Sequence, residues 1–160
     1  MGERAGVNTI VSEKLYQRAQ VYTWSREAKV NAFREWGIRA VINFWPKLDP
    51  EMCDMDLDWV WQVSAPRSLM MLGDHIDLAA EAATAYLKSR QDRRLLVLCE
   101  AGKTRSVYFC VLVVQKLLGL DSQQALKLVL GVVPTAKLKP AMLARFTPPR
   151  AGATIVASGG

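Results

Sequence analysis

A chain of 160 residues, 51% of them apolar, has the length of one domain and enough hydrophobic material for a sizeable core, which excludes a disordered protein. Its net charge of +6 favours anionic partners, but the basic residues are too scattered to form a nucleic-acid-binding stripe by themselves. No apolar run approaches the roughly 20 residues needed to cross a bilayer, and residues 1–6 have no apolar stretch behind their charges, so neither a membrane span nor a signal peptide is expected.

In chain order, residues 9–17 read as one short strand. From Ser25, the apolar residues Ala28, Val30, Ala32, Phe33 and Trp36 recur at helical spacing, and Gly37 supplies the stop. Residues 38–44 (IRAVINF) are β-branched and apolar, the pattern of a buried strand. Residues 48–58 carry Asp49, Glu51, Asp54, Asp56 and Asp58 and read as an acidic surface loop. Residues 59–63 (WVWQV) form another short strand, ended by Ser64, Ala65 and Pro66. In residues 76–90, Ile76, Ala79, Ala80, Ala83 and Leu87 line one face of an Ala-rich amphipathic helix. After a polar connection, residues 95–99 (LLVLC) are too short an apolar run for a helix and read as a central parallel strand. A helix over residues 104–118 is apolar nearly all round and should be the buried one. Asp121 or Ser122 caps a further helix, residues 137–146 form a last one, and residues 147–160 read as a frayed tail. Strands alternating with helices predict an α/β domain over residues 7–146, with a mainly parallel central sheet flanked by helices. Sites in such sheets form beyond the carboxyl ends of the strands.

The cysteines are Cys53, Cys99 and Cys110. An odd, sparse set fits a reducing, cytoplasmic setting better than a disulfide scaffold. There is no CxxC or Cys/His ligand pair, and His75 is the only histidine, which excludes a structural zinc site. No GxSxG elbow accompanies that histidine either.

One strand–helix junction carries chemistry: Cys99-Glu100-Ala101-Gly102-Lys103-Thr104-Arg105-Ser106. A turn entering a helix N-terminus aims successive backbone N–H groups at one anion-seeking point. Gly102 admits turn torsions that a Cβ would resist. Arg105 can fold back and hold two phosphate oxygens with its planar fork. Cys99, at the strand end, would lie beneath that cradle, where the same groups favour its thiolate. The cysteine is then placed for in-line attack on phosphorus, and Ser106 can donate a hydrogen bond to the departing sulfur. Gly102-Lys103-Thr104 also mimics the end of a nucleotide P-loop, but the required earlier glycine is Val97, inside the strand.

The junction resembles the C-x5-R signature of the cysteine-dependent phosphatase superfamily, in the C-x2-G-x2-R-S form of dual-specificity phosphatases. The order of elements over residues 7–146 is similar to that family. The resemblance implies a phosphatase working through a phospho-cysteine. Cys99 is its nucleophile, and Arg105 with the backbone of Glu100, Ala101, Gly102, Lys103 and Thr104 binds the phosphoryl group. Ser106 assists the second step. No metal or organic cofactor is implied, and the partner is a phosphorylated protein or another anionic phosphorylated substrate.

Two departures bear on that expectation. The family has His immediately before the nucleophile, where this chain has Leu98. Its general acid is an Asp roughly 30 residues before the cysteine, where this chain has Pro66-Arg67-Ser68. Asp74 is nearest, with Asp77 and Asp58 weaker candidates. Members of the superfamily that act on RNA 5′-triphosphates lack that Asp, so an RNA triphosphatase is one alternative. Lys103, as AGK, resembles the branch acting on phosphoinositides, whereas Glu100 does not. A phosphate-binding module that has lost turnover is the alternative outside the enzymes. Asp74 also reads as a helix cap, Cys110 as core, and Trp45-Pro46-Lys47 as strand-end packing.

Overall fold

The structure, a computed structural model, describes residues 6–63 and 73–146. The single strand expected over residues 9–17 is instead a hairpin of β1 (Asn8–Val11) and β2 (Leu15–Ala19). Between them Glu13 takes a left-handed conformation (φ 65°), and Lys14 N donates to Val11 O at 3.0 Å. The turn lacks the Gly, Asn or Pro that ordinarily marks such a reversal, so the pattern runs through it.

Helix α1 (Arg26–Trp36) begins where the Ser25 hydroxyl accepts from Ala28 N and ends at Gly37 with φ 72°. Its buried face is Lys29, Phe33 and Trp36, while Ala28 is exposed. A buried lysine requires a counter-charge. Lys29 Nζ lies 2.8 Å from Asp49 Oδ2 and 3.0 Å from Glu51 Oε1. Burial works against its charge, but the bonds to these carboxylates outweigh burial and raise its pKa. Strand β3 (Ala40–Asn43) is buried throughout. The acidic segment after it is not simply a surface loop. It contains one helical turn, α2 (Pro50–Cys53), capped by Asp49, which is buried through its pairing with Lys29.

Strand β4 (Trp59–Gln62) follows. Residues 64–72, including Pro66-Arg67-Ser68, lie outside the described residues, as does the tail over 147–160. Helix α3 (Asp74–Ser89) buries Ile76, Ala79, Ala80, Ala83 and Leu87 as the spacing predicts. Gly73 holds its cap position, so Asp74 is the first helical residue and not the cap. Strand β5 (Leu95–Cys99) is fully buried. Helix α4 (Arg105–Leu118) has a buried run from Arg105 to Val114. Helix α5 (Ser122–Val132) opens on a capping box of Asp121 and Gln124, and α6 (Pro140–Phe146) is the last helix among the described residues. Among the described residues, no helix is long and apolar enough to cross a membrane.

The five strands form one sheet in the order β1-β2-β5-β3-β4, with β1 antiparallel and every other pairing parallel. Alternation along the strands divides the core between two layers. Leu15, Ala40, Ile42, Leu95, Val97 and Cys99 join the cluster with α3, α4 and α5. Tyr16, Val41, Leu96 and Leu98 join the one with α1 and Met52. Strands β2, β3, β4 and β5 thus end at one edge, with β5 central.

The opposite edge is held by charge. Asp58, just before β4, accepts from Tyr86 Oη at 2.6 Å and from Arg39 Nη2 at 3.1 Å, and Arg93 also donates to it. The Tyr86 hydroxyl and the two guanidinium groups hold the Asp58 carboxyl at about 2, below its ordinary 3.8. Burial and the same carboxylate push Tyr86 up to about 12. A depressed folded-state pKa stabilises the native state above the unfolded value, and that contribution is lost as pH falls through the folded one. Asp58→Asn should therefore cost roughly 1–2 kcal/mol at neutral pH, allowing for partial solvent screening. The gap to wild type should close between about pH 4 and about pH 2. Thermal melts of both proteins across that range check this; a gap that does not depend on pH would contradict it.

Candidate active site

The carboxyl end of β5 delivers Cys99 to the N-terminus of α4, and the segment between them forms the floor of a cleft. Cys99 is 2% exposed, and its Sγ lies 3.0 Å from Ser106 Oγ. Arg105 is also buried, and its Nη1 donates to the Phe44 carbonyl at 2.7 Å, just past β3. That anchor fixes the guanidinium on the side where β3 ends. The Glu100 carboxylate stands 4.0 Å from Arg105 Nη2 and is largely exposed. The cleft, about 270 Å³, is lined by Cys99, Glu100, Ala101, Lys103, Thr104, Arg105 and Lys139.

The neighbouring strands shape this segment. Gln20 N donates to Cys99 O at 2.7 Å, and Phe44 N to Leu98 O at 2.8 Å, so both flanking chains continue past the ends of β2 and β3. Gly102 has φ 68°, and a Cβ there would come within 2.5 Å of Ala19 N. The turn needs glycine both for its torsion and for its approach to the end of β2. Thr104 holds the cap position of α4 without a side-chain cap bond; its hydroxyl instead donates to Lys137 O at 2.8 Å. Lys137 N in turn donates to Lys103 O at 2.8 Å, which ties the segment after α5 to the loop and brings Lys139 to the cleft.

Gln17 and Lys139 are the site residues the sequence pattern did not single out. Gln17 is fully buried in β2. It shares the Leu15 face of the strand, toward α4, and its Nε2 donates to Gly102 O and to Ser106 Oγ, each at 2.7 Å. A polar residue inside an apolar strand next to a loop-forming motif was the available signal. Leu98 points to the opposite layer, in the cluster with Tyr16, Trp36 and Met52.

The carboxylates divide clearly. Asp58 lies at the far edge of the sheet in its bonds to Tyr86, Arg39 and Arg93, and a carboxyl held at about 2 is a poor proton donor near neutral pH. Asp77 is paired with Arg145, which also donates to Tyr108 Oη at 2.9 Å. Asp74 is exposed at the start of α3 and is not among the residues lining the cleft. His75 is exposed beside it. Cys53 is exposed, Cys110 is buried, and all three thiols are free. Burial, with a smaller contribution from Cys99, pushes the Cys110 thiol well up. Trp45 packs edge-on against Tyr22, ring centres 5.1 Å apart. A larger hollow of about 460 Å³ beside α1 contains none of the predicted site residues.

No family model and no curated protein matches the chain. Solved structures do. Human DUSP28 is 16% identical, with a TM-score of 0.70, covering 91% of this chain and 93% of its own. The PTP-2 phosphatase of Cydia pomonella is 14% identical, with a TM-score of 0.72 and coverage of 88% and 87%. PTPMT1 in complex with PI(5)P is 12% identical, with a TM-score of 0.65 and coverage of 84% and 88%. The fold is that of dual-specificity phosphatases. At this identity the likeness speaks for architecture, and the chemistry rests on the cleft.

Proposed function

We propose that this chain hydrolyses phosphate monoesters through a phospho-cysteine at Cys99. The observation that carries the proposal is that Cys99, with the buried Ser106 Oγ 3.0 Å from its Sγ, and the anchored Arg105 line one cleft at the start of α4. An anion placed there meets the positive end of the helix, whose first N–H groups have no side-chain cap. The backbone of Glu100, Ala101, Gly102, Lys103 and Thr104 and the fork of Arg105 bind the three non-bridging oxygens.

The thiolate of Cys99 attacks phosphorus in line with the ester oxygen. A P–S bond forms as the P–O bond breaks, and the leaving oxygen takes a proton. Asp74 is the candidate donor. Water then attacks phosphorus, inorganic phosphate departs, and sulfur leaves as thiolate, stabilised by the Ser106 hydroxyl. No step calls for a metal or an organic cofactor.

A second reading, a phosphoinositide as substrate, is favoured by the two lysines at the cleft, Lys103 and Lys139. These would suit additional phosphates around an inositol ring. The likeness to PTPMT1, solved with PI(5)P, supports it.

The test is turnover of p-nitrophenyl phosphate, a phosphoserine peptide, a phosphoinositide and triphosphate-ended RNA by wild type and Asp74→Asn. Wild type should hydrolyse the aryl ester with EDTA present and be inhibited by vanadate. General acid help is worth about 10²–10⁴-fold, so Asp74→Asn should slow the phosphoserine peptide by about 10²-fold and the aryl ester far less. Equal loss on both substrates, or none on either, would remove Asp74 from the acid role. Preference for triphosphate-ended RNA would establish the triphosphatase alternative. Binding of phospholigands without phosphate release from any of the four would establish the binding module.

A further inference from the structure

We infer that Gln17 is a positioning residue that turns the Ser106 hydroxyl onto the Cys99 sulfur. The inference deepens the proposed phosphatase reading and rests on its nucleophile. Its basis is the polarity of four hydrogen-bonding contacts. Gly102 O can only accept, so the Gln17 atom 2.7 Å from it must be the amide nitrogen. The other end of that amide then accepts from Asn8 Nδ2 at 2.8 Å. The second N–H of the amide points to Ser106 Oγ at 2.7 Å, so the serine oxygen accepts there. Its single proton is then free for Cys99 Sγ, 3.0 Å away.

The Gly102 contact matters as much as the serine contact. Gly102 O is the carbonyl four residues before Ser106, the acceptor to which a helical serine ordinarily turns its hydroxyl. Gln17 takes one lone pair of that carbonyl and one of the serine oxygen, and the hydroxyl turns its proton to the sulfur 3.0 Å away. Gln17 is fully buried, so water does not compete, and a buried amide with all its partners satisfied is a rigid directional element. Leu98 faces the other layer and offers the sulfur no hydrogen bond. In this chain the hydroxyl that stabilises the leaving thiolate is aimed from β2.

The experiment uses the full chain as wild type, Gln17→Met, Ser106→Ala and the double variant. Methionine keeps the length and flexibility of the side chain and removes only its polar end. Iodoacetamide modification of Cys99 is read by peptide mass at fixed pH. Each single variant should slow it by about 3-fold, and the double variant should be no slower than Ser106→Ala alone. On p-nitrophenyl phosphate, Gln17→Met should lower kcat by about 10-fold with KM within about 2-fold, and phosphoenzyme should accumulate in rapidly quenched samples. If Gln17→Met does not fold, Asn8→Ala loosens the amide from its other end and should slow modification by about 2-fold, again with no further loss when Ser106 is alanine.

Additive losses, or a Gln17→Met protein indistinguishable from wild type, would overturn the inference and leave the phosphatase reading standing. A wild type that turns over no phosphate ester but shows the non-additive modification pattern would do the reverse.

Discussion

Cys99→Ser should abolish turnover of every phosphate ester that the wild-type protein hydrolyses, while the chain should still fold and still bind phosphate. The rate should fall by about 10⁴-fold or more, the scale seen when the nucleophile of a covalent mechanism is removed. A serine hydroxyl at this position would have to lose its proton to attack phosphorus, and a neutral hydroxyl is a far weaker nucleophile than sulfur. Stability should change by about 1 kcal/mol or less. The new hydroxyl takes the place of the sulfur beside Ser106 Oγ, so it does not become a buried group without a partner. Binding should persist because Arg105, anchored to the Phe44 carbonyl, and the N-terminus of α4 do not depend on the sulfur. Release of p-nitrophenol gives the rate, and phosphate titration followed by NMR gives the binding. Residual turnover within about 10-fold of wild type would remove the phospho-cysteine.

The same experiment separates Cys99 from the other two thiols. Cys53 is exposed in the acidic segment, and Cys110 is buried in α4 with its thiol held well up by burial. Neither is placed at the cleft. Oxidative inactivation by peroxide should therefore follow Cys99 modification, since Cys99 is the thiol placed in the cleft beside Arg105, Lys103 and Lys139.

Elements with a strong periodic signal and local stop signals were legible in the sequence. The helix ending at Gly37, the LLVLC strand, the Ala-rich α3 and the buried α4 stand where their patterns placed them. Each is decided by residues close in sequence, a cap, a period of 3.6 or a short β-branched run. What escaped depends on partners distant in sequence. The hairpin at Glu13 has no turn signature, and β2 is defined by its parallel pairing to β5 across the sheet. Burial of Asp49 follows from Lys29, a residue that looks like one more surface charge until the helix is docked. The candidate nucleophile Cys99 and its arginine were legible because the loop packs cysteine, glycine, arginine and serine into eight consecutive positions. Gln17 was not, because its importance comes from contacts to residues 85 and 89 positions away.

Gly102→Ala should be the most damaging single-methyl change in the loop, and a matched control lies at the far end of α4. Gly102 and Gly119 have nearly equal left-handed torsions, φ 68° and 65°, so alanine costs each about 1–2 kcal/mol of backbone strain. Only at Gly102 does the new Cβ meet backbone: Ala19 N at 2.5 Å, Arg18 C at 2.9 Å and Ala19 Cα at 3.1 Å, whereas Gly119 has open space. Backbone atoms of a paired strand cannot rotate aside as a side-chain tip does. Either β2 separates from β5 at Ala19–Cys99 or the loop lifts from the strand end, and overpacking of this kind adds about 1–3 kcal/mol. The total for Gly102→Ala is then roughly 2–5 kcal/mol, against about 1–2 kcal/mol for Gly119→Ala. Lifting the loop also moves the amides and Arg105 away from Cys99, and a displacement near 1 Å in positioned groups costs about 10²-fold in rate. Gly119→Ala, at the far end of α4, should keep full activity once folded. Denaturant melts and kcat/KM of the two variants measure both effects. Equal destabilisation with equal activity would mean that the loop does not depend on its close approach to Ala19, and that phosphate is cradled by some other arrangement.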